Sequence, residues 1–159
     1  LCRKIGVVGK NVFISQVEIK INCDRNSLIN IMETESVKKR VLMEYDMMMV
    51  SQPLLWNYLS TSSGLERWFA DKVTVDGKIY EFQWSGSVQR ARLLAMRSGV
   101  YVKMRWEEDS RDVFFEMSIS KNELTGATVL SIVDFGEDED DVRDLWNSQI
   151  EVLKRILGC

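Results

Sequence analysis

Apolar and polar residues alternate along most of the chain from residue 41 onward, which is the pattern of half-buried β-strands. The first alternating segment is VLMEYDMMMV, in which Tyr45, Met47 and Met49 share one face. Six more such segments follow, and short turns separate most of them, including an Asp-Gly pair at residues 76–77. Seven strands joined in this way predict an antiparallel meander.

Two short helical segments interrupt this pattern after the first strand. Ser51 is a suitable N-cap, Pro53 is tolerated in a first turn, and the apolar spacing that follows predicts a helix that the TSSG stretch ends. The next letters, LERWF, predict one further short turn. We expect Gly64 to permit the backbone turn that brings Trp68 and Phe69 inward.

A long helix is predicted after Gly136. The run EDEDD puts five carboxylates at its start, where the positive end of the helix dipole favours them, and Gly158 marks its end. Apolar residues with helical spacing, among them Trp146, Ile150 and Ile156, form one stripe that also includes Gln149. We expect the acidic run to be a solvated helix start. The alternatives are a surface for a basic partner and a calcium site, although the run lacks the Gly-containing loop of an EF-hand.

The strand alternation also predicts a charged face. If the aromatic positions of the meander face the long helix, a set of charged residues shares the opposite face: Glu81, Arg90, Arg92, Lys103, Arg105 and Glu116. We expect a ladder of cross-strand ion pairs. The alternative is a surface for an anion or an acidic partner around the four basic residues.

The composition limits the classes of protein to which this chain can belong. The chain has 159 residues, 45% of them hydrophobic, which suits one globular domain with a sizeable core. There is no apolar run of about 18 residues, so we expect no membrane insertion, and the start does not resemble a secretory signal. Three widely spaced cysteines argue against a disulfide framework and predict a cytoplasmic protein.

Histidine is absent from the whole chain. The commonest metal ligand and the usual acid–base residue are therefore missing, and triads built on histidine are excluded. We predict no metal, no cofactor and no catalytic residue, although tyrosines and carboxylates could in principle do acid–base work. Residues 41–159 hold thirteen Lys or Arg against twenty Asp or Glu, and so acidic a body disfavours nucleic-acid binding.

Several longer stretches resemble a known family. LLWNYLSTSSGLERWFAD resembles the helix-loop-helix ending in Trp-Phe of the START-like domain family. FQWSG, VKMRWEED and IVDFGEDED, followed by VRDLWNSQIEVLKRILG, resemble its later strands and closing helix. The resemblance covers residues 43–159. The superfamily includes the pollen-allergen-type ligand carriers and the heat-shock-protein-90 ATPase-activator homologues.

The resemblance implies an α+β helix-grip fold: a curved seven-stranded antiparallel sheet wrapped around a long C-terminal helix, with two short helices after the first strand. Residues 41–159 would form the START-like domain. Residues 1–40 would be an N-terminal extension, loosely packed or disordered, although NVFISQVEIKINC alternates like a strand and could pack on the domain.

Such domains usually enclose an apolar cavity between sheet and helix, and many bind a lipid-like or aromatic molecule there. We therefore predict that an apolar small molecule is the partner and that Trp68 and Phe69 plug the open end and gate it. The predicted ligand-binding residues are Trp68, Phe69, Tyr80, Phe82, Trp84, Met104, Trp106, Phe115, Met117, Trp146 and Ile150. One alternative is a filled core in a protein-interaction module of the chaperone-activator type. The other is a cyclase- or aromatase-like enzyme.

Overall fold

The computed structural model describes residues 38–159. The predicted extension at residues 1–40 lies outside the described residues except for its last three. The helices and strands, in chain order, are β1 (Lys39–Met47), α1 (Gln52–Ser60), α2 (Ser62–Leu65), β2 (Lys72–Asp76), β3 (Ile79–Trp84), β4 (Ser87–Arg97), β5 (Tyr101–Trp106), β6 (Phe115–Lys121), β7 (Thr128–Gly136) and α3 (Glu139–Leu157).

All seven strands belong to one antiparallel sheet with the order β1-β7-β6-β5-β4-β3-β2. Strands β2 to β7 follow one another as a meander, and β1 pairs with β7 at the edge of the sheet, with Lys39 opposite Gly136 and Met47 opposite Thr128. The predicted seven-stranded sheet with two short helices after its first strand is confirmed. So is the long C-terminal helix that packs on the sheet.

The predicted Asp-Gly turn between β2 and β3 is present, whereas an irregularity in β4 was not predicted. Gly77 has a φ of 57° in the two-residue turn between Asp76 and Ile79, a conformation that favours glycine. In β4 the register with β5 shifts between Leu93 and Ala95, so the strand contains a β-bulge there.

The prediction that Met49 shares a strand face with Tyr45 and Met47 is wrong. Met47 is the last β1 residue to pair with β7, and the chain then turns at Met49, whose φ is 65°. Met49 is fully exposed as a result. The α1 helix begins as predicted, because the Leu54 N–H donates to the Ser51 hydroxyl oxygen at 3.4 Å.

The second short helix begins earlier than predicted, at Ser62 rather than at Leu65. Thr61 both ends α1 and caps α2: its hydroxyl donates to the Asn57 carbonyl oxygen at 2.7 Å and accepts from the Gly64 N–H at 3.0 Å. Gly64 has no positive φ, so the expected role in a backbone turn is wrong. A Cβ there would lie 2.7 Å from the Cα of Tyr58, and glycine is needed because α2 packs closely against α1.

The α3 helix runs across the sheet between two identifiable caps. The Asp138 carboxylate accepts the Asp140 N–H at 2.8 Å at one end, and Gly158 adopts the left-handed conformation at the other. Glu137 precedes this cap, so not all five carboxylates lie in the first turn as predicted. The buried stripe of α3 consists of Val142, Trp146, Gln149, Ile150 and Leu153. Ile156, which was predicted to belong to it, is 38% exposed.

The core lies between α3, the two short helices and one face of the sheet, which is the face that carries Phe82 and Phe115. The opposite face carries the predicted ion pairs. Arg90 lies 2.9 Å from the Glu81 carboxylate, and Lys103 lies 3.8 Å from that of Glu116. Two rungs of the predicted cross-strand ladder therefore form. The rest of the prediction is wrong, because Arg92 lies opposite Arg105 rather than an acidic residue, and its carboxylate partner at 4.0 Å is Glu107.

Candidate functional site: the aromatic interior

Phe69 lies at the centre of the interior and contacts aromatic rings from three other elements. Its ring centroid is 5.2 Å from that of Phe82 and 5.9 Å from that of Trp84, both on β3. It is 6.4 Å from Phe115 on β6 and 5.8 Å from Trp146 on α3, in stacked arrangements. Phe69 therefore fills the space between the sheet and α3, although it belongs to neither.

The connection from α2 to β2 holds Phe69 in this place. The Trp68 indole N–H donates to the Tyr58 carbonyl oxygen on α1 at 3.0 Å. The Trp84 indole N–H donates to the backbone carbonyl oxygen of Phe69 at 2.8 Å. Glu66 accepts the Val73 N–H at 2.9 Å. The segment that carries the two aromatics is thus attached to one helix and to the sheet by a few specific hydrogen bonds.

All eleven predicted site residues line this interior. Nine are buried, and the remaining two, Trp84 and Trp106, are half-buried at the end of the sheet where β3 and β5 finish. Tyr80 stacks on Phe82 at 6.2 Å, and its burial raises the pKa of its phenol above the ordinary value. Burial of this kind is typical of a packed core as well as of the wall of a ligand site.

A half-open pocket of about 300 Å³ lies beside Trp106. Its lining residues are Val88, Gln89, Arg90, Trp106, Glu107 and Glu108. The Trp106 ring stacks on Phe115 at 5.0 Å, and its indole N–H is buried without a hydrogen-bond partner among the described residues. Buried tryptophans usually pair this group. The pocket therefore adjoins the aromatic cluster at a place where one donor is unsatisfied.

Two polar residues of the interior were not predicted as site residues. Asp134 on β7 is 2% exposed, and it accepts the Trp146 indole N–H at 2.8 Å and the Phe135 N–H at 2.8 Å. Gln149 on α3 is 5% exposed, and its side-chain oxygen has no hydrogen-bond partner among the described residues. In the sequence, each of these two residues is visible only as one polar residue within an otherwise apolar pattern.

Among residues 38–159 there is no group of three acidic or cysteine side chains arranged to hold a metal ion. In the same range, no helix combines the length and the apolar character that crossing a bilayer requires. The arrangement in the interior is suited to contact with apolar groups, with a few polar atoms at fixed positions.

Comparison with known proteins agrees with this architecture. Residues 35–159 match the START-like superfamily domain. The chain therefore belongs to the START-like superfamily. A search of the curated proteins finds no match.

Solved structures show the same fold. A Bacteroides fragilis protein determined in solution is 40% identical, with a TM-score of 0.55 over 75% of this chain and 90% of its own. The Aha1 dimer from Colwellia psychrerythraea is 12% identical, with a TM-score of 0.62 over 75% of this chain and 96% of its own. A crystallised Mesorhizobium loti protein is 18% identical, with a TM-score of 0.60 over 76% of this chain and 97% of its own. The last two show the fold alone.

Proposed function

We propose that this START-like domain binds an apolar small molecule, lipid-like or aromatic, between the sheet and α3. The position of Phe69 carries the proposal. The ring at the centre of the interior comes from a connecting segment, whereas the rings around it come from β3, β6 and α3. A ligand can therefore take the place of Phe69 while the walls of the site stay fixed.

The surroundings of Phe69 favour such an exchange. Flat rings on several sides would stack equally well on an aromatic ligand. Met104 and Met117, both buried on the same face of the sheet, have flexible side chains that adapt to differently shaped neighbours. We therefore expect the site to accept a range of apolar molecules rather than one precise shape.

We propose binding without catalysis. The side chains around Phe69 are aromatic or aliphatic, and the nearby carboxylate of Asp134 is engaged by the Trp146 indole N–H. An acid–base mechanism needs a titratable group within hydrogen-bond reach of the substrate. Tyr80 is the phenol in this cluster, and burial raises its pKa, which disfavours its use as a base near neutral pH.

Native mass spectrometry of the purified protein is the first test. A bound mass of a few hundred daltons, released on unfolding, is expected for a ligand of the size that such sites enclose. A second test uses methylnaphthalene as the probe in titration calorimetry. We expect wild-type protein to bind it, and Phe69→Leu to bind it more tightly because a smaller side chain must be displaced.

Phe114→Leu is the matched control. Phe114 packs against Phe135 at 5.0 Å, outside the cluster around Phe69, so this change should leave the affinity for methylnaphthalene unaltered. The proposal fails if the wild-type protein carries no bound molecule and does not bind the probe. It also fails if the two leucine variants change the affinity equally.

A protein-interaction module of the chaperone-activator type is the second candidate, and exposed apolar loops favour it. Met48 is 66% exposed, Met49 is fully exposed, and Leu124 is 96% exposed. The loop that carries the two methionines is joined to the start of β7 by a hydrogen bond from the Thr128 hydroxyl to the Val50 carbonyl oxygen at 2.8 Å. The loop of Leu124 precedes β7, so these loops are neighbours. Methionines are frequent at adaptable protein contacts.

Titration with a purified heat-shock-protein-90 chaperone tests this second candidate. We expect saturable binding that the double change Met48→Ser and Met49→Ser weakens, while probe binding in the interior is unaffected. The matched control is Val75→Ser on β2, an exposed apolar position of the sheet. Equal weakening by both sets of changes, or no binding, removes this candidate.

A further inference from the structure

Gln149 is a polar side chain in the buried stripe of α3. Three residues of polar or charged type are buried among those described, and the other two are hydrogen-bonded. The Ser87 hydroxyl oxygen and the Trp106 indole nitrogen also lack partners there, but they belong to half-buried residues. Thr128 donates to the Val50 carbonyl oxygen, and Asp134 accepts the Trp146 indole N–H. The side-chain oxygen of Gln149 has no partner among the described residues. Buried polar groups are nearly always hydrogen-bonded, so Gln149 is an exception that needs a reason.

The side chain of Gln149 is directed away from the β1 edge of the sheet. Tyr45 on β1 donates its hydroxyl to the Asn147 amide oxygen at 2.9 Å, which places the Asn147 side of the helix toward β1. Because each helical residue turns the side chain by about 100°, Gln149 lies about 160° from Asn147 around the helix. Its amide therefore lies on the interior side of α3, between Val142 and Leu153.

Helix geometry places Gln149 beside Trp146, the α3 residue that contacts Phe69. Trp146 stacks on Phe69 with their centroids 5.8 Å apart. Gln149 follows Trp146 by three residues, which places it about 4.5 Å farther along the helix axis and on a neighbouring part of the same face. A bicyclic or longer molecule that replaces the Phe69 ring spans this distance.

We propose that Gln149 selects apolar ligands that carry a hydroxyl group. This inference rests on the proposed function and names the chemical class of its ligand. A hydroxyl both donates and accepts, so it pairs with either end of the carboxamide. A fully apolar ligand leaves the side-chain oxygen unpaired, as it is without ligand, and so lacks the hydrogen bond that a hydroxyl adds.

Naphthol and methylnaphthalene are the probes that test this inference, because they differ by a hydroxyl in place of a methyl group of similar size. We expect wild-type protein to bind naphthol more tightly by roughly tenfold, the ratio that one net hydrogen bond gives. In Gln149→Met the ratio should fall to about one. The variant should also unfold at a higher urea concentration without ligand, because the unpaired side-chain oxygen is gone.

Leu153→Met is the matched control, since it places a methionine on the same face of α3 and leaves Gln149 intact. Its naphthol preference should equal that of the wild type. Gln149→Leu provides a second apolar variant if Gln149→Met does not fold. Equal affinities of the wild type for both probes, or a preference that survives in the Gln149 variants, overturns the inference and leaves the proposed function standing. A wild-type protein that binds neither probe and carries no bound molecule overturns the proposed function itself.

Discussion

Trp84 donates its indole N–H to the backbone carbonyl oxygen of Phe69 at 2.8 Å, so a side chain of β3 fixes the backbone of the residue that fills the interior. The ring of the donor also contacts the ring of the acceptor residue, at 5.9 Å. One tryptophan therefore both holds the connecting segment and forms part of the wall behind it.

Trp84→Phe should lower the free energy of unfolding because it keeps an aromatic ring but removes the donor to Phe69. A carbonyl oxygen left without its partner costs about 1–3 kcal/mol. Trp106→Phe is the control, since the Trp106 indole N–H has no partner among the described residues. Urea denaturation followed by circular dichroism should show the larger loss for Trp84→Phe. Equal losses would mean that the bond to Phe69 contributes nothing.

Trp68→Ala should cost about 3–5 kcal/mol of stability, the usual range for removing a large buried aromatic. Trp68 is 2% exposed, and its indole N–H is bonded to the Tyr58 carbonyl oxygen. If Trp68 also gates the site, the variant should change the affinity for methylnaphthalene. Denaturation midpoints with and without the probe measure both effects. A large stability loss with unchanged binding would reject the gate hypothesis.

Gly64→Ala should destabilise the protein by about 1–3 kcal/mol, the cost of forcing an extra group into a packed site. The added Cβ would lie 2.7 Å from the Tyr58 Cα, and backbone atoms cannot move aside without separating α2 from α1. Ser63→Ala, at the exposed neighbouring position, is the control and should change the midpoint little. If Gly64→Ala is as stable as this control, the close approach of the helices is not required.

Stability should fall at alkaline pH because burial raises the pKa of Tyr80 above the ordinary tyrosine value near 10. Above about pH 10 the unfolded chain loses this phenolic proton while the folded chain keeps it, so the equilibrium shifts toward unfolding. Burial also raises the pKa of Tyr45, although Arg143 acts in the opposite direction. At pH values well below the pKa that tyrosine has in the unfolded chain, neither residue makes stability depend on pH.

Urea midpoints measured from pH 8 to pH 12 test this expectation, and Tyr80→Phe should show a shallower decline than the wild type. Tyr58→Phe is the control for a tyrosine on α1. A decline that is identical in the wild type and in Tyr80→Phe would show that the ionisation of Tyr80 has no part in it.

Much of the fold could be predicted because the relevant signals are local. Alternation identified the strands, and the spacing of Trp146 and Ile150 identified the buried face of α3. The Ser51 cap and the Gly77 turn depend on single residues whose conformational preferences are strong. The seven candidate residues on β3, β5 and β6 share one face because of the same alternation, whereas Trp68 and Phe69 were included on the strength of the resemblance.

The remaining features depend on contacts between segments. Met49 continues the alternation of β1, but pairing with β7 ends two residues earlier, so the pattern gave the wrong face. The need for Gly64 arises from the approach of two helices, and the β-bulge near Leu93 arises from the register with β5. Whether Gln149 has a hydrogen-bond partner depends on every element around α3, and no local pattern contains that information.

The pairing of β1 with β7 has a consequence for the order of events during synthesis. Partner residues in this ladder, such as Lys39 and Gly136, are separated by about eighty to a hundred positions. The ribosome therefore releases β1 long before the strand that will cover its edge, and Val41 and Met43 remain unprotected meanwhile. Such distant pairings slow folding and leave exposed apolar strands open to aggregation. The first of the seven described strands to be made is thus among the last to find its neighbour.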